Sequence, residues 1–230
     1  MPGFILKLLM SAMVIWSCLT QAATDDRIIV ILETEIGNVS IAIDGVRAPT
    51  AAEYILGYID RGQYNGASLY RSGSLDASPV RQLVQGGVLQ GALNSDTPPD
   101  LVGYGVTLLP DWESTAQSGL QHRRGSVSLA RDLLDTGHVI PELVFCLRDI
   151  PTMDAGGNGR FDNKGFPIIG EVVAGFDVIE AVSRRERQGA TNIAFLRGEI
   201  LSAPVAITRA YRQHVLPVNA TSHDKDSKED

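Results

Sequence analysis

The sequence predicts a mainly β fold, a closed antiparallel barrel capped by two α-helices, and three observations carry that prediction. Short β-branched or alternating runs recur along most of the chain, separated by turn residues. Only two stretches show helical spacing, and they lie far apart in the sequence. No internal repeat is visible, so the strands belong to one domain rather than to a stacked array.

Ile28–Leu32 is a β-branched run, and Gly37-Asn38 reads as a two-residue hairpin turn into Val39, Ile41 and Ile43, which alternate with Ser40 and Ala42. Pro49-Thr50-Ala51-Ala52-Glu53 then reads as a helix start, with Thr50 as N-cap and Glu53 completing a capping box. Ile55, Tyr58 and Ile59 follow at helical spacing, with Gly62 just past the end. Further strands are predicted at Ser68–Arg71, Gln82–Gln85, Ser126–Ala130, Leu143–Leu147 and Phe166–Val173. The second helix fits Phe176–Arg184, with Val178, Ile179 and Val182 as its apolar stripe, and Val205–Tyr211 closes the domain.

The 230 residues hold 44% apolar and 20% charged side chains with 23 Gly and 11 Pro, an ordinary globular balance rich in turns. A net charge of -7 argues against nucleic acid or an anionic membrane surface as partner, because both reward clustered Lys and Arg. Residues 1–22 read as a signal peptide. Lys7 supplies a positive start, Leu8–Leu19 an apolar run short for a bilayer span, and Thr20-Gln21-Ala22 the small residues before a cut at Ala23. Two alternatives stay open: an uncleaved N-terminal anchor, and lipid attachment at Cys18, where Trp16 makes Ile15-Trp16-Ser17-Cys18 a poor lipobox. All three place the domain, residues 27–211, on the exported side, periplasmic or secreted. Residues 212–230, almost wholly polar or charged from Asn219, read as a disordered tail.

Generic catalytic templates find little support. Cleavage leaves Cys146 as the sole cysteine, in the apolar run Leu143–Leu147, where a thiol packs as a small inert hydrophobe and no disulfide can form. The four His residues have no metal-site spacing. Ser126 and Ser128 lie near His122, but no G-x-S-x-G elbow surrounds them. Gly86–Gly91 lacks the dinucleotide spacing, and Asp154–Gly165 has glycines where calcium ligands are needed.

What remains is an ordered set of short motifs. Leu69-Tyr70-Arg71 resembles the Phe-His-Arg strand of the cyclophilins, and Leu83-Val84-Gln85-Gly86-Gly87 their Met-x-Gln-Gly-Gly segment. Gly125-Ser126-Val127-Ser128-Leu129-Ala130-Arg131 is similar to their Gly-x-x-Ser-Met-Ala strand. Gly165–Val178 matches the late strand, turn and helix start closely, and Ser118-Gly119-Leu120 with His122 looks like a stretch of bacterial members. The likeness covers Arg27 to Tyr211 and implies a cyclophilin-like barrel that isomerises Xaa–Pro bonds.

The resemblance also implies roles. Arg71 would be the catalytic arginine and Gln85 its partner on the substrate backbone. Gln82, Leu83, Ala130, Arg131, Val144, Thr152, Met153 and Phe166 would bind substrate in and around a proline pocket. Three of these depart from the family pattern. Val144 stands where a large aromatic floors the pocket, Gln82 where many members carry Phe, and Thr152 where an aromatic closes the side. An aromatic ring brings 150–250 Å² of contact surface, so the loss implies looser grip on proline.

The chemistry suits these residue types. Resonance raises the rotational barrier of the peptide bond to about 18–20 kcal/mol, and twisting localises a lone pair on the prolyl nitrogen that a fixed guanidinium can stabilise. The expected partners are proline-containing polypeptides. Neither nucleic acid, metal nor cofactor is called for, and the chain is expected to act as a monomer. The alternative is a catalytically weak peptide-binding module or chaperone on the same fold.

Overall fold

The computed structural model describes residues 27–75, 79–94, 101, 105–132, 137–157 and 162–213. The leader with Cys18 and the tail from Asn219 lie outside the described residues. Eight antiparallel strands form the barrel: β1 (Ile28–Thr34), β2 (Gly37–Ile43), β3 (Ser68–Gly73), β4 (Leu83–Gly87), β5 (Ser126–Arg131), β6 (Val139–Cys146), β7 (Ile168–Ala174) and β8 (Ile200–Arg212). They run in the spatial order β1-β2-β7-β5-β6-β4-β3-β8, and β8 pairs back onto β1, so no edge is left open. The helices are α1 (Pro49–Asp60), the single turn α2 (Thr115–Ser118) and α3 (Phe176–Ser183). α1 and α3 are the two caps the periodicity predicts; α2 is an addition.

The barrel interior is one apolar cluster. It joins Val30 and Leu32 of β1, Val39 and Ile41 of β2, Leu129 of β5, Phe145 of β6 and Ile207 of β8. Ile55 and Ile59 of α1 and Val178, Ile179 and Val182 of α3 complete it, so the stripes seen in the sequence are the faces that cap the core.

Local chemistry departs from expectation at three places. The first hairpin turns at Glu35-Ile36, and Gly37 and Asn38 already belong to β2, opposite Thr34 and Glu33. Thr34 Oγ1 shapes that turn by donating to the Gly37 carbonyl at 2.6 Å and accepting from the Ile36 N–H at 3.3 Å. At α1 the N-cap is Ala48, and Thr50 lies inside the first turn. The capping carboxylate comes from Glu113, 63 residues away, which accepts from the Thr50 N–H at 3.0 Å, the Thr50 hydroxyl, and the Ala51 N–H at 3.3 Å. An anion on the orphan N–H groups of a helix start does the work a capping box would do. Last, β6 begins at Val139 rather than Leu143 and runs through Pro141. Its ladder with β5 jumps register between Leu129–Leu143 and Arg131–Val139, so the missing proline N–H falls where the ladder is already interrupted.

Candidate active site

One face of the barrel, outside the core, carries a cleft of about 610 Å³. Strand alternation builds its floor. On β6, Val139, Leu143 and Phe145 point into the core, whereas Ile140, Val144 and Cys146 belong to a second apolar cluster on the outer face. On β4, Val84 is core and Leu83 sits with that outer cluster. Met153, from the short helical turn Pro151–Met153, and Phe166, just before β7, complete it. The Phe166 N–H donates to the Met153 carbonyl at 2.9 Å, which ties these two side chains into one wall.

One irregularity breaks the alternation where polar groups are needed. In the β3–β4 ladder Leu69 pairs with Gly86 but Arg71 pairs with Gln85, so two steps on β3 match one on β4. This bulge turns the successive residues Tyr70 and Arg71 both toward the cleft, whereas a regular strand would send them to opposite faces. Opposite Leu129–Arg131 of β5 the extra residues lie on β6, and Ala130 and Arg131 both border the cleft.

Arg71 is nearly buried and held from both sides. Its Nε donates to Glu199 Oε2 at 2.8 Å, with Nη2 2.7 Å from the same oxygen, and its Nη1 donates to Gln85 Oε1 at 2.6 Å. The Gln85 Nε2 donates to the Tyr70 hydroxyl at 3.2 Å, and that hydroxyl donates to Glu142 Oε2 at 2.6 Å. Of five guanidinium N–H groups, three are spent on this clamp, which leaves two for a bound group.

Leu83, Gln85, Ala130, Arg131, Val144, Met153 and Phe166 line the cleft together with Arg71. Gln82 and Thr152 are not among the lining residues. Gln82 turns to the loop after β3, accepting from Ser74 Oγ at 3.2 Å and the Leu75 N–H at 3.0 Å. Thr152 is exposed on the short helical turn. Arg131 lies under the cleft wall as a fastener: it donates to the Gly165 carbonyl at 2.9 Å and the Gly137 carbonyl at 2.7 Å, pairs with Asp162, and stacks over Trp112. That pairing, first through the hydrogen bond from Arg131, holds the Asp162 carboxyl down at about 2.

Sequence reasoning missed Glu199, Glu142 and the outer rim of Leu75, Ile193, Phe195 and Leu196. Glu142 did leave a signal, since a charge inside an apolar strand must find a partner. Glu199 left none: it lies 128 residues from Arg71.

The serines near His122 deserve the same scrutiny. His122 Nδ1 lies 2.7 Å from Asp154 Oδ1 and its Nε2 3.2 Å from Ser128 Oγ, the order of a hydrolytic triad. Ser128 and His122 are buried and line no part of the cleft. A nucleophile that no substrate reaches is a structural tie between β5 and the Asp154 turn. Cys146 is fully buried, and burial first of all pushes its thiol up to about 12, so it packs without reacting. Among the described residues no group of three or more His, Cys, Asp or Glu side chains could hold a metal ion.

The barrel thus carries an apolar outer cleft with a clamped arginine over it. Residues 29–210 match the family described as "Cyclophilin type peptidyl-prolyl cis-trans isomerase/CLD". The chain therefore belongs to the cyclophilin-type peptidyl-prolyl cis-trans isomerases. It is 25% identical over 156 residues to peptidyl-prolyl cis-trans isomerase A of Dickeya dadantii, spanning 67% of this chain and 70% of that protein. Two structures of a Cryptosporidium parvum cyclophilin-type isomerase show the same fold. The one determined in the presence of dipeptide Ala-Pro has TM-score 0.56 at 14% identity, covering 81% of this chain and 99% of that one. The other has TM-score 0.58 at 14% identity, covering 82% and 98%.

Proposed function

We propose that this isomerase acts on Xaa–Pro bonds of exported polypeptides as they fold, with Arg71 as the catalytic residue. The observation that carries the reading is the clamp: Glu199 and Gln85 fix the guanidinium beside an apolar floor of Leu83, Val144, Met153 and Phe166. The floor takes the proline ring by burial of apolar surface. A planar amide nitrogen accepts no hydrogen bond, but the twisted nitrogen does. A free Arg71 N–H aimed at it binds the transition state more tightly than the ground state. Because the clamp is made before substrate arrives, no reorganisation is needed at the moment of reaction. The remaining Gln85 amide N–H is placed to hold a neighbouring substrate carbonyl, so that one side of the bond stays fixed while the other turns.

Export rests on the pattern of residues 1–22: cleavage before Ala23 is the reading, and an uncleaved anchor or lipid attachment at Cys18 the alternatives. A weak peptide-binding module is the second reading, favoured by the aliphatic Val144 in the floor and by Thr152 standing outside it. The experiment is the isomerisation rate of a short Xaa-Pro peptide with the chain from Thr24 onward and its Arg71→Ala variant. Acceleration that falls about 100-fold or more in the variant supports the enzyme. A folded wild-type protein that binds the peptide without acceleration supports the module.

A further inference from the structure

Glu142 is an uncommon residue to find fully buried in the middle of a barrel strand. Room for it exists because Gly87 lies opposite on β4; a Cβ there would come within 2.5 Å of Glu142 Oε1. Its partners are few. The Leu89 N–H donates to Oε1 at 2.8 Å, with the Val88 N–H alongside, and the Tyr70 hydroxyl donates to Oε2 at 2.6 Å. Tyr64 faces it from the loop after α1 but donates to the Pro141 carbonyl at 2.6 Å, and Tyr54 of α1 donates to the Thr107 carbonyl at 2.7 Å. β5 sets Leu129 opposite Leu143 and sends the Arg131 charge away to Asp162. The nearest cation along the bonded chain is Arg71, three links distant.

The donor chemistry gives that chain one direction. A guanidinium can only donate, so Gln85 must show Arg71 its Oε1 and Tyr70 its Nε2. The Tyr70 oxygen then accepts from Gln85, which leaves its own hydrogen for Glu142. An ionised carboxylate accepts that hydrogen and the Leu89 N–H together. A protonated carboxyl keeps lone pairs for both donors but loses the charge that strengthens their bonds, and its own hydrogen needs an acceptor; the Tyr70 oxygen lies 2.6 Å away to serve as one. If Tyr70 accepts that hydrogen, its own hydroxyl hydrogen turns away from Glu142 and competes with the Gln85 Nε2 donor; a flip of Gln85 to receive it turns an N–H onto Arg71. The Tyr70–Gln85 tie is weakened in the first arrangement, and the Gln85–Arg71 tie is lost in the second.

We propose that the Glu142 carboxylate is a positioning residue for the reaction: through Tyr70 and Gln85 it holds the Nη1 side of the Arg71 guanidinium, and its protonation loosens that side. This rests on the role given to Arg71 above. Burial first of all pushes the Glu142 carboxyl up, to about 7, against the pull of the Tyr70, Leu89 and Val88 donors, which places the switch near neutral pH. Isomerase activity then rises with pH.

The test is the pH profile of kcat/KM for an Xaa-Pro peptide from pH 5.5 to 8.5, beside the Arg71 Nε–H and Gln85 amide signals by NMR. Wild type is expected to gain about tenfold between pH 6 and 8, with both signals shifting at the same midpoint. E142Q, whose amide can donate to Tyr70 as the protonated acid would, is expected to be flat at the low level. Y70F keeps the ring and the carboxylate but cuts the relay, and is expected to flatten the profile even if E142Q fails to fold. An active wild type with a flat profile overturns the positioning role and leaves the enzyme reading intact. Signals that titrate in a protein inactive at every pH overturn the enzyme reading, and with it any catalytic consequence of the relay.

Discussion

The two faces of the same barrel strands follow different rules. Inward, residues obey strict alternation, and Leu32, Val84, Leu129 and Phe145 meet in one continuous core. Outward, over the cleft, alternation is broken on β3 by a bulge that brings Tyr70 with Arg71 onto one face. The inner face needs only apolar volume at every second position, whereas the outer face needs charged groups at set angles. The bulge supplies those angles without disturbing the interior. Stability should therefore reside on one face and chemistry on the other.

That division can be broken by mutation. Phe145→Ala opens a cavity in the core and is expected to lower unfolding free energy by about 3–5 kcal/mol in chemical denaturation, while Val144→Ala, one residue away on the cleft face, lowers it by about 1–2 kcal/mol. Equal losses at the two positions would erase the distinction.

The next effect is electrostatic and crosses from one face to the other. Folded Glu142 holds its proton up to about 7, while the unfolded group releases it near 4.5. Between those values the folded state binds more protons, so this contribution is fully present below pH 4.5 and is lost as pH rises to 7. The loss is on the order of 3 kcal/mol. Denaturation at pH 5 and pH 8 measures it, and E142Q should remove the slope. The same ionisation that weakens the fold completes the relay to Arg71.

Glu199→Gln sharpens the comparison from the outer side. It removes the charge that holds Arg71 Nε and Nη2 and is expected to reduce kcat about tenfold, with peptide KM little changed. The smallest change is a gain. Val144→Phe returns an aromatic ring to the floor and is expected to tighten peptide binding several-fold in a fluorescence or calorimetric titration.

The inner face was largely legible in the sequence because alternation and helical stripes are local patterns. Val39 and Ile41 of β2 and the Val178, Ile179, Val182 stripe of α3 occupy the places that periodicity gives them. Strand ends were less legible: Pro141 hides the start of β6, and β8 begins at Ile200 rather than Val205. Thr50 and Glu53 mimic a capping box that Glu113 supplies from a distant loop. In the site, motif likeness pointed to Arg71, Gln85 and apolar residues that line the cleft, but what orients Arg71 is non-local. Glu199 comes from the loop before β8 and Glu142 from β6, and only the closed barrel brings both to β3. Gln82 and Thr152 show the reverse error, since positions that match a motif need not face the cleft.

With the role proposed for it, the clamped Arg71 acts on the twisted bond rather than on substrate affinity. The most direct test of that role is NMR exchange on an Xaa-Pro peptide, which reads the cis–trans rate on the protein and the Kd separately, in wild type and Arg71→Lys. Lysine keeps the charge but loses the planar fork that Glu199 and Gln85 hold. The expected result is an on-protein rate lowered about 100-fold with Kd changed less than threefold. An unchanged rate with a raised Kd would contradict it and make Arg71 a binding residue only.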